Sequence, residues 1–201
     1  IGWGAASMPN TDVNIATDGT DGSYLLNVYI ADNNYVDAAA VNQILTGLPN
    51  GLYELKAQLT SFGPGEGDLA SDATGNTVYI VGNGYHKGIV AETKTKFKEA
   101  TVNFLVVDGT AKIGVVGGYN GIYYYPTSGC FYKADNFRLK YICDPAHGRV
   151  KLALDEAKAI TLDQYGQNAL DLSAYETAFE NRTITGDGTT EAKAIYDALQ
   201  T

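Results

Sequence analysis

Histidine is nearly missing from this 201-residue chain, with His86 and His147 the only two. Arginine occurs only at 138, 149 and 182, cysteine only at 130 and 143, and there is one Trp. These shortages narrow the chemistry. A Ser/His/Asp arrangement would have to use His86 with an activated serine, and no G-x-S-x-G or comparable serine turn occurs. Cys/His catalysis would need Cys130 or Cys143 beside His86, and nothing in their spacing favours that. A glycosidase needs two facing carboxylates. Glu54 and Glu99 fall on strand positions that read as exposed, Glu66, Asp68 and Asp72 fall in a Gly-rich stretch, and no pair stands out.

Positive charge is also scarce. The net charge is -9 and the pI about 4.6. No Lys/Arg cluster exists to follow a phosphate backbone, which argues against nucleic acid as a partner. The same acidity disfavours anionic lipid. No apolar run approaches membrane-spanning length and no signal peptide is present, so no membrane insertion is expected of this fragment. The chain begins Ile1-Gly2-Trp3 and ends in a helical pattern, and is read as a piece of a longer protein. Cys130 and Cys143 lie thirteen residues apart, roughly 40 Å if extended, and could pair only if the segment between them folds back. Two free or buried thiols are the expectation.

What the chain does have is tyrosine, 15 in all. Its apolar ring and polar tip suit partly wet recognition surfaces, although tyrosine is also common in sheets. Up to Asp144-Pro145 the signals are those of strands and turns. Tyr53, Leu55, Ala57 and Leu59 alternate with polar residues, as do Val102, Phe104 and Val106. Asp108-Gly109 then supplies a tight-turn signal expected to set a hairpin register before Ala111, Ile113 and Val115. Tyr24–Ile30, Val41–Leu48, Thr77–Val81 and Phe137–Ile142 are further strand candidates, and Gly82–Gly88 reads as a loop carrying Tyr85 and His86. Many short strands without interleaved helices argue for an antiparallel sandwich.

After Pro145 the signals are helical. Asp144 can cap a helix opening at Pro145, with Val150, Leu154 and Ala157 on one stripe. Ser173 to Glu176 forms a capping-box pattern, with Leu172, Tyr175 and Phe179 on one side. A third helix begins near Thr189 or Thr190 and carries Ala192, Ile195, Tyr196 and Leu199.

Three stretches, read together, resemble a known family. They are Ile44–Gly51 (ILTGLPNG) followed by LYELKAQL, Val107–Val115 (VDGTAKIGV), and Lys133–Leu139 (KADNFRL). In this order the chain is similar to the galactose-binding-like, carbohydrate-binding-module-like jelly-roll domains of secreted and surface proteins of Bacteroidetes-type bacteria. The tail is similar to the small helical spacers that follow such domains. The resemblance implies a mainly β fold, with an antiparallel jelly-roll β-sandwich over 1–144 and a three-helix spacer, complete or not, over 145–201. Phe131–Phe137 (FYKADNF) also resembles a YFKAG-type strand of jelly-roll alginate lyases. Those enzymes add an arginine-rich strand and a Q-I-H strand, and this chain has neither.

Asp135 poses the sharpest local question. Period two places it on the face of Phe137, Leu139 and Tyr141, where a carboxylate needs a partner. The resemblance implies structural Ca²⁺ held by Asp135 with an early loop, and Asp18 and Asp21, beside Asp12, are the acids on hand; no complete calcium loop is present. The other reading is a pin that accepts backbone N–H bonds. For a ligand, the candidates are Tyr119, Asn120, Tyr123, Tyr124 and Tyr125 in the glycine-flanked run 117–126, together with Tyr85 and His86. Aromatic rings stack on the apolar faces of sugars while amides meet the hydroxyls. Three packed tyrosines are the structural alternative. The expected function is non-enzymatic binding of a polysaccharide or glycan, within a larger multidomain parent chain at the cell surface or outside the cell. A structural or adhesion spacer without a sugar ligand is the alternative.

Overall fold

The computed structural model describes residues 4–5, 11–16, 25–30, 39–62, 77–90, 97–117, 130–164 and 171–199. Their strands are β1 (Gly4–Ala5), β2 (Thr11–Ala16), β3 (Leu25–Ile30), β4 (Ala39–Thr46) and β5 (Gly51–Phe62). They continue as β6 (Thr77–Gly82), β7 (Tyr85–Val90), β8 (Lys98–Val106), β9 (Thr110–Gly117) and β10 (Cys130–Cys143). Helices α1 (Pro145–Gln164), α2 (Ser173–Glu180) and α3 (Thr189–Ala198) follow. The fold is mainly β, an antiparallel β-sandwich with a small C-terminal helical part.

One sheet has the order β1-β4-β9-β6-β7 and the other β2-β3-β10-β5-β8. Among these strands only β2–β3 and β6–β7 are hairpins within one sheet; every other link between successive strands passes to the opposite sheet. The Asp108-Gly109 turn is one of these. It joins β8 to β9 as a corner between sheets, where the local turn signal suggested a hairpin. A turn residue specifies a reversal of the chain, but side-chain burial decides which sheet the next strand joins.

The chain divides into two compact units, Ile1–Leu45, Leu55–Val102 and Ala111–Leu139 in the first, and Thr46–Glu54, Asn103–Thr110 and Lys140–Thr201 in the second. In the first, Leu55, Ala57, Leu59, Ile80 and Val115 are fully buried, as alternation demands of strands with one inward face. In the second, Leu52 of β5, Cys143 of β10 and Leu152 of α1 form one apolar cluster, against which Leu105, Ile142 and Phe179 pack. Gly148 lets the first turn of α1 approach this closely. A Cβ there would lie 2.7 Å from Leu105 Cδ2 and 2.9 Å from Leu52 Cβ. A second cluster joins the helices through Val150, Ala153, Leu154, Ala157, Leu172, Ala192 and Ile195.

Each helix is preceded by an aspartate that satisfies its unpaired N–H groups. Asp144 Oδ1 accepts from the N–H of Ala146 and of His147, Asp171 Oδ1 from Ser173, and Asp187 Oδ1 from Thr189. For α2 this replaces the expected capping box, since Leu172 occupies the cap position without a side-chain bond. Tyr196 also departs from its expected stripe. It is exposed, and its hydroxyl donates to Glu156 Oε2 at 2.7 Å.

The caps make the helical part acid-sensitive. Burial pushes the Asp144 carboxyl up, but the N–H and ring of His147 and the N–H of Ala146 outweigh it and hold it below its ordinary 3.8. The bonds from Ser173 and Thr189 likewise lower Asp171 and Asp187. Carboxyls held low in the folded state stabilise it at neutral pH, and that contribution disappears as pH falls through the folded values. Helical circular dichroism is therefore expected to hold steady down to about pH 5 and to decline below about pH 4. Asparagine caps nearly as well without titrating. A variant with Asn at 144, 171 and 187 should show a shallower acid decline, and an identical acid profile would contradict this account.

Candidate functional site

Strand register fixes where the candidate residues attach. In the sheet containing β9, Gly117 pairs with Val78, and Thr77 pairs with Val90. The ends of β7 and β9 and the start of β6 therefore lie together, where segments 63–76, 91–96 and 118–129 join the sheet. In the other sheet Cys130 pairs with Ile30, and Ile30 with Thr11. Segments 6–10, 31–38 and 118–129 join there. Tyr119, Asn120, Tyr123, Tyr124 and Tyr125 all fall in segment 118–129, outside the described residues, and that segment bridges the two sheet ends.

Tyr85 and His86 are placed differently from the sequence expectation. They are the first residues of β7, not part of a loop, because Asn83-Gly84 alone makes the reversal, with φ of 44° and 89°. Tyr85 pairs with Gly82, and Gly82 with Ile113, which puts Tyr85 four positions along β9 from Gly117. Asn83 holds this turn against β9. Its Oδ1 accepts the N–H of Lys112 at 2.7 Å, and its own N–H donates to the Lys112 carbonyl.

Asp135 is buried, 7% exposed, and its Oδ1 accepts the N–H of Asn136 at 2.7 Å. Asn136 has a φ of 51°. That left-handed residue breaks the period of two, so Ala134 and Asp135 are buried in succession and the backward count from Phe137 does not carry through. Ala134 pairs with Leu26, and the neighbouring Leu25 with Ala16. Asp135 thus stands one position from the level at which segment 17–24 leaves β2 and enters β3. Asp18 and Asp21 belong to that segment, outside the described residues. Among the described residues no group of three His, Cys, Asp or Glu is placed to hold a metal ion.

The turns that carried the resemblance are structural. Gly109 N–H donates to Asn50 Oδ1 at 2.9 Å, Leu48 N–H to the Gly109 carbonyl at 3.0 Å, and the Tyr53 hydroxyl to the Pro49 carbonyl at 2.8 Å. Cys143 is a buried free thiol at the end of an unbroken fourteen-residue strand that begins at Cys130. Sequence reasoning missed the pair formed by His147 Nδ1 and Asp144 Oδ2, 2.7 Å apart, with the ring against Phe179. Its signal was the three-residue spacing after a helix cap. The pair is part of the α1 cap and clusters with Phe179.

No family model matches the chain, and no curated protein matches its sequence. Among solved structures it is similar to TmCBM61 in complex with beta-1,4-galactotriose, at 16% identity and a TM-score of 0.46, over 70% of this chain and 88% of that one. It is also similar to the CBM22-1 xylan-binding domain of Paenibacillus barcinonensis Xyn10C, at 14% identity and a TM-score of 0.44, over 70% and 86%. A CBM35 of the same organism gives 15% identity and a TM-score of 0.42, over 70% and 94%.

Proposed function

We propose that the β-sandwich is a non-catalytic carbohydrate-binding module of a larger secreted or surface bacterial protein. The observation that carries this reading is where the strands on either side of segment 118–129 end, at Gly117 and Cys130. That segment holds Tyr119, Asn120 and Tyr123 to Tyr125 within twelve residues, and it links the ends of the two sheets where four other connecting segments also join. The connections of an antiparallel sandwich alternate between its two ends, and connecting segments are where a scaffold of this kind presents side chains for recognition. Tyrosine rings would stack on sugar faces while Asn120 meets a hydroxyl. Tyr85 and His86 begin β7, at the end of that strand away from segment 118–129 and with β6 between β7 and β9, so this reading leaves them out.

The same reading includes one structural cation. Asp135 fits an oxygen-ligated ion such as Ca²⁺ because it is a buried carboxylate beside the strand ends that anchor Asp18 and Asp21. Bound there, the ion would tie segment 17–24 to β10. A second reading, a spacer without a sugar ligand, draws on the seating of α1 on Leu52 and Leu105, which suits a stiff mechanical connection.

A glycan-array screen followed by calorimetry separates the two. An aromatic contact is worth about 0.5–1.5 kcal/mol, so changing Tyr123, Tyr124 and Tyr125 to Ala should weaken glycan binding roughly tenfold or more. Adding a chelator should lower the melting temperature and weaken binding. A folded protein retained by no glycan would leave the spacer reading standing, and a melting temperature indifferent to chelator would remove the cation.

A further inference from the structure

The outer face of β5, β8 and β10 carries a charged row whose sign opposes that of the whole protein. Leu55, Ala57 and Leu59 on β5, and Ala100 and Val102 on β8, point into the core. The alternate residues Lys56, Gln58 and Glu99 therefore stand on the opposite face. Arg138 of β10 joins them. Its Nη2 donates to Glu99 Oε2 at 2.5 Å, although β5 lies between β10 and β8 in the sheet. The contact spans about two strand spacings, roughly 10 Å, so both side chains lie across β5. Gln58 Nε2 is 3.5 Å from the same carboxylate oxygen, and Lys56 Nζ is 3.6 Å from the other.

This arrangement gives one carboxylate two cations and an amide. Within a chain of net charge -9 the group of four carries a local excess of one positive charge. It is open to solvent: the Arg138 side chain is 51% exposed and that of Glu99 40%. A guanidinium has five N–H donors in a planar fork, and only Nη2 is directed at Glu99. Surface ion pairs of this kind contribute little to stability, so an incoming carboxylate can compete for Arg138 at small cost. Glu99 and Gln58 then offer acceptors and a donor beside it.

We propose that Lys56, Gln58, Glu99 and Arg138 form a subsite for an acidic sugar, a hexuronate residue of a polysaccharide. Arg138 takes the carboxylate in a forked pair with Lys56 beside it, and Gln58 and Glu99 take hydroxyls. Arg138 stands eight residues along β10 from Cys130, so this is a contact separate from the tyrosine segment; it rests on the carbohydrate-binding reading and gives it a second ligand class. Glu54, two residues along β5 from Lys56, stands on the same face, while acids more than about 10 Å away are largely screened at 0.1 M salt.

The test measures binding of tetragalacturonate and of neutral galactotetraose by calorimetry at low and high salt. Wild type should bind the acidic tetramer at least about fivefold more tightly at low salt, with the preference shrinking at high salt. Arg138→Gln should abolish the preference, a loss of about tenfold for the acidic tetramer. Glu99→Gln should widen it severalfold by removing the competing carboxylate. A loss of the same size for the neutral tetramer would mark disruption of the face as a whole and would overturn the assignment. Opposite shifts from two partners of one ion pair are not what a merely structural role would produce. Equal binding of both tetramers, or a preference that survives Arg138→Gln, overturns the subsite while the carbohydrate-binding reading stands. Binding of neither tetramer also overturns it, and retention on the glycan array then decides the broader reading separately.

Discussion

Replacing Phe104 by Ala is expected to destabilise the protein by about 3–5 kcal/mol, a large share of the stability of a typical domain. The ring is fully buried, and its centroid lies 6.1 Å from that of Tyr53 at an interplanar angle of 19°. Tyr53 in turn meets Tyr141 edge-on at 5.4 Å. Truncating Phe104 therefore opens a cavity and removes one end of an aromatic row. Phe104→Leu keeps most of the volume and should cost less than about 1.5 kcal/mol. Urea unfolding of the two variants checks this. Equal midpoints for Ala and Leu would show that the surrounding side chains collapse into the space.

The second large effect comes from adding a single methyl group. A Cβ on Gly114 of β9 would sit 2.4 Å from the carbonyl oxygen of Val41 and 3.0 Å from the Cα of Asn42. Both obstacles are backbone of β4, the adjacent strand, so no side-chain rotation relieves them. Gly114→Ala should cost about 3 kcal/mol, the upper end for overpacking, and lower the melting temperature by roughly 6–12 °C. Gly84→Ala is the informative control, because there a Cβ meets nothing within 4 Å and the cost is only that of its positive φ of 89°. If the control proves as damaging as Gly114→Ala, the contact with β4 is not the cause.

Much of the sandwich was legible because its central strands have unlike faces. Tyr53, Leu55, Ala57 and Leu59 read as inward and are buried, as are Val102, Phe104, Val106, Ala111, Ile113 and Val115. Period two fails where the backbone leaves the extended region, and Asn136 shows this. Its positive φ carries no sequence mark beyond Asn being one of the few residues that tolerate it. Strand β7 was hidden by the glycines around it, although Asn83-Gly84 was the available hairpin signal. Strand β2 was hidden because TDVNIA runs straight into the acidic TDGTDG. The helices were placed well from their stripes, since Val150, Leu154 and Ala157 are all buried. What composition could not convey is that strand ends around Leu52, Leu105 and Ile142 pack with those helices in one unit. Of the candidate site residues, Asp135 is buried although the period-two count does not carry through to it, and Tyr85 and His86 begin β7 rather than lying in a loop.

The order of strands in the second sheet also sets a timetable for folding. Strand β10 lies between β3 and β5, and its first residue, Cys130, pairs with Ile30, 100 positions earlier in the chain. Until that late strand arrives, β3 has β2 on one side and an open edge on the other. Pairings so distant in sequence are slow to form, because loop closure must precede any reward from contacts. A nascent chain in this state carries an exposed strand edge, the kind of surface that recruits other chains. The helices, by contrast, are built from local contacts and can form within microseconds once docked. Insertion of β10, the strand that carries both Asp135 and Arg138, is therefore the step expected to be slowest.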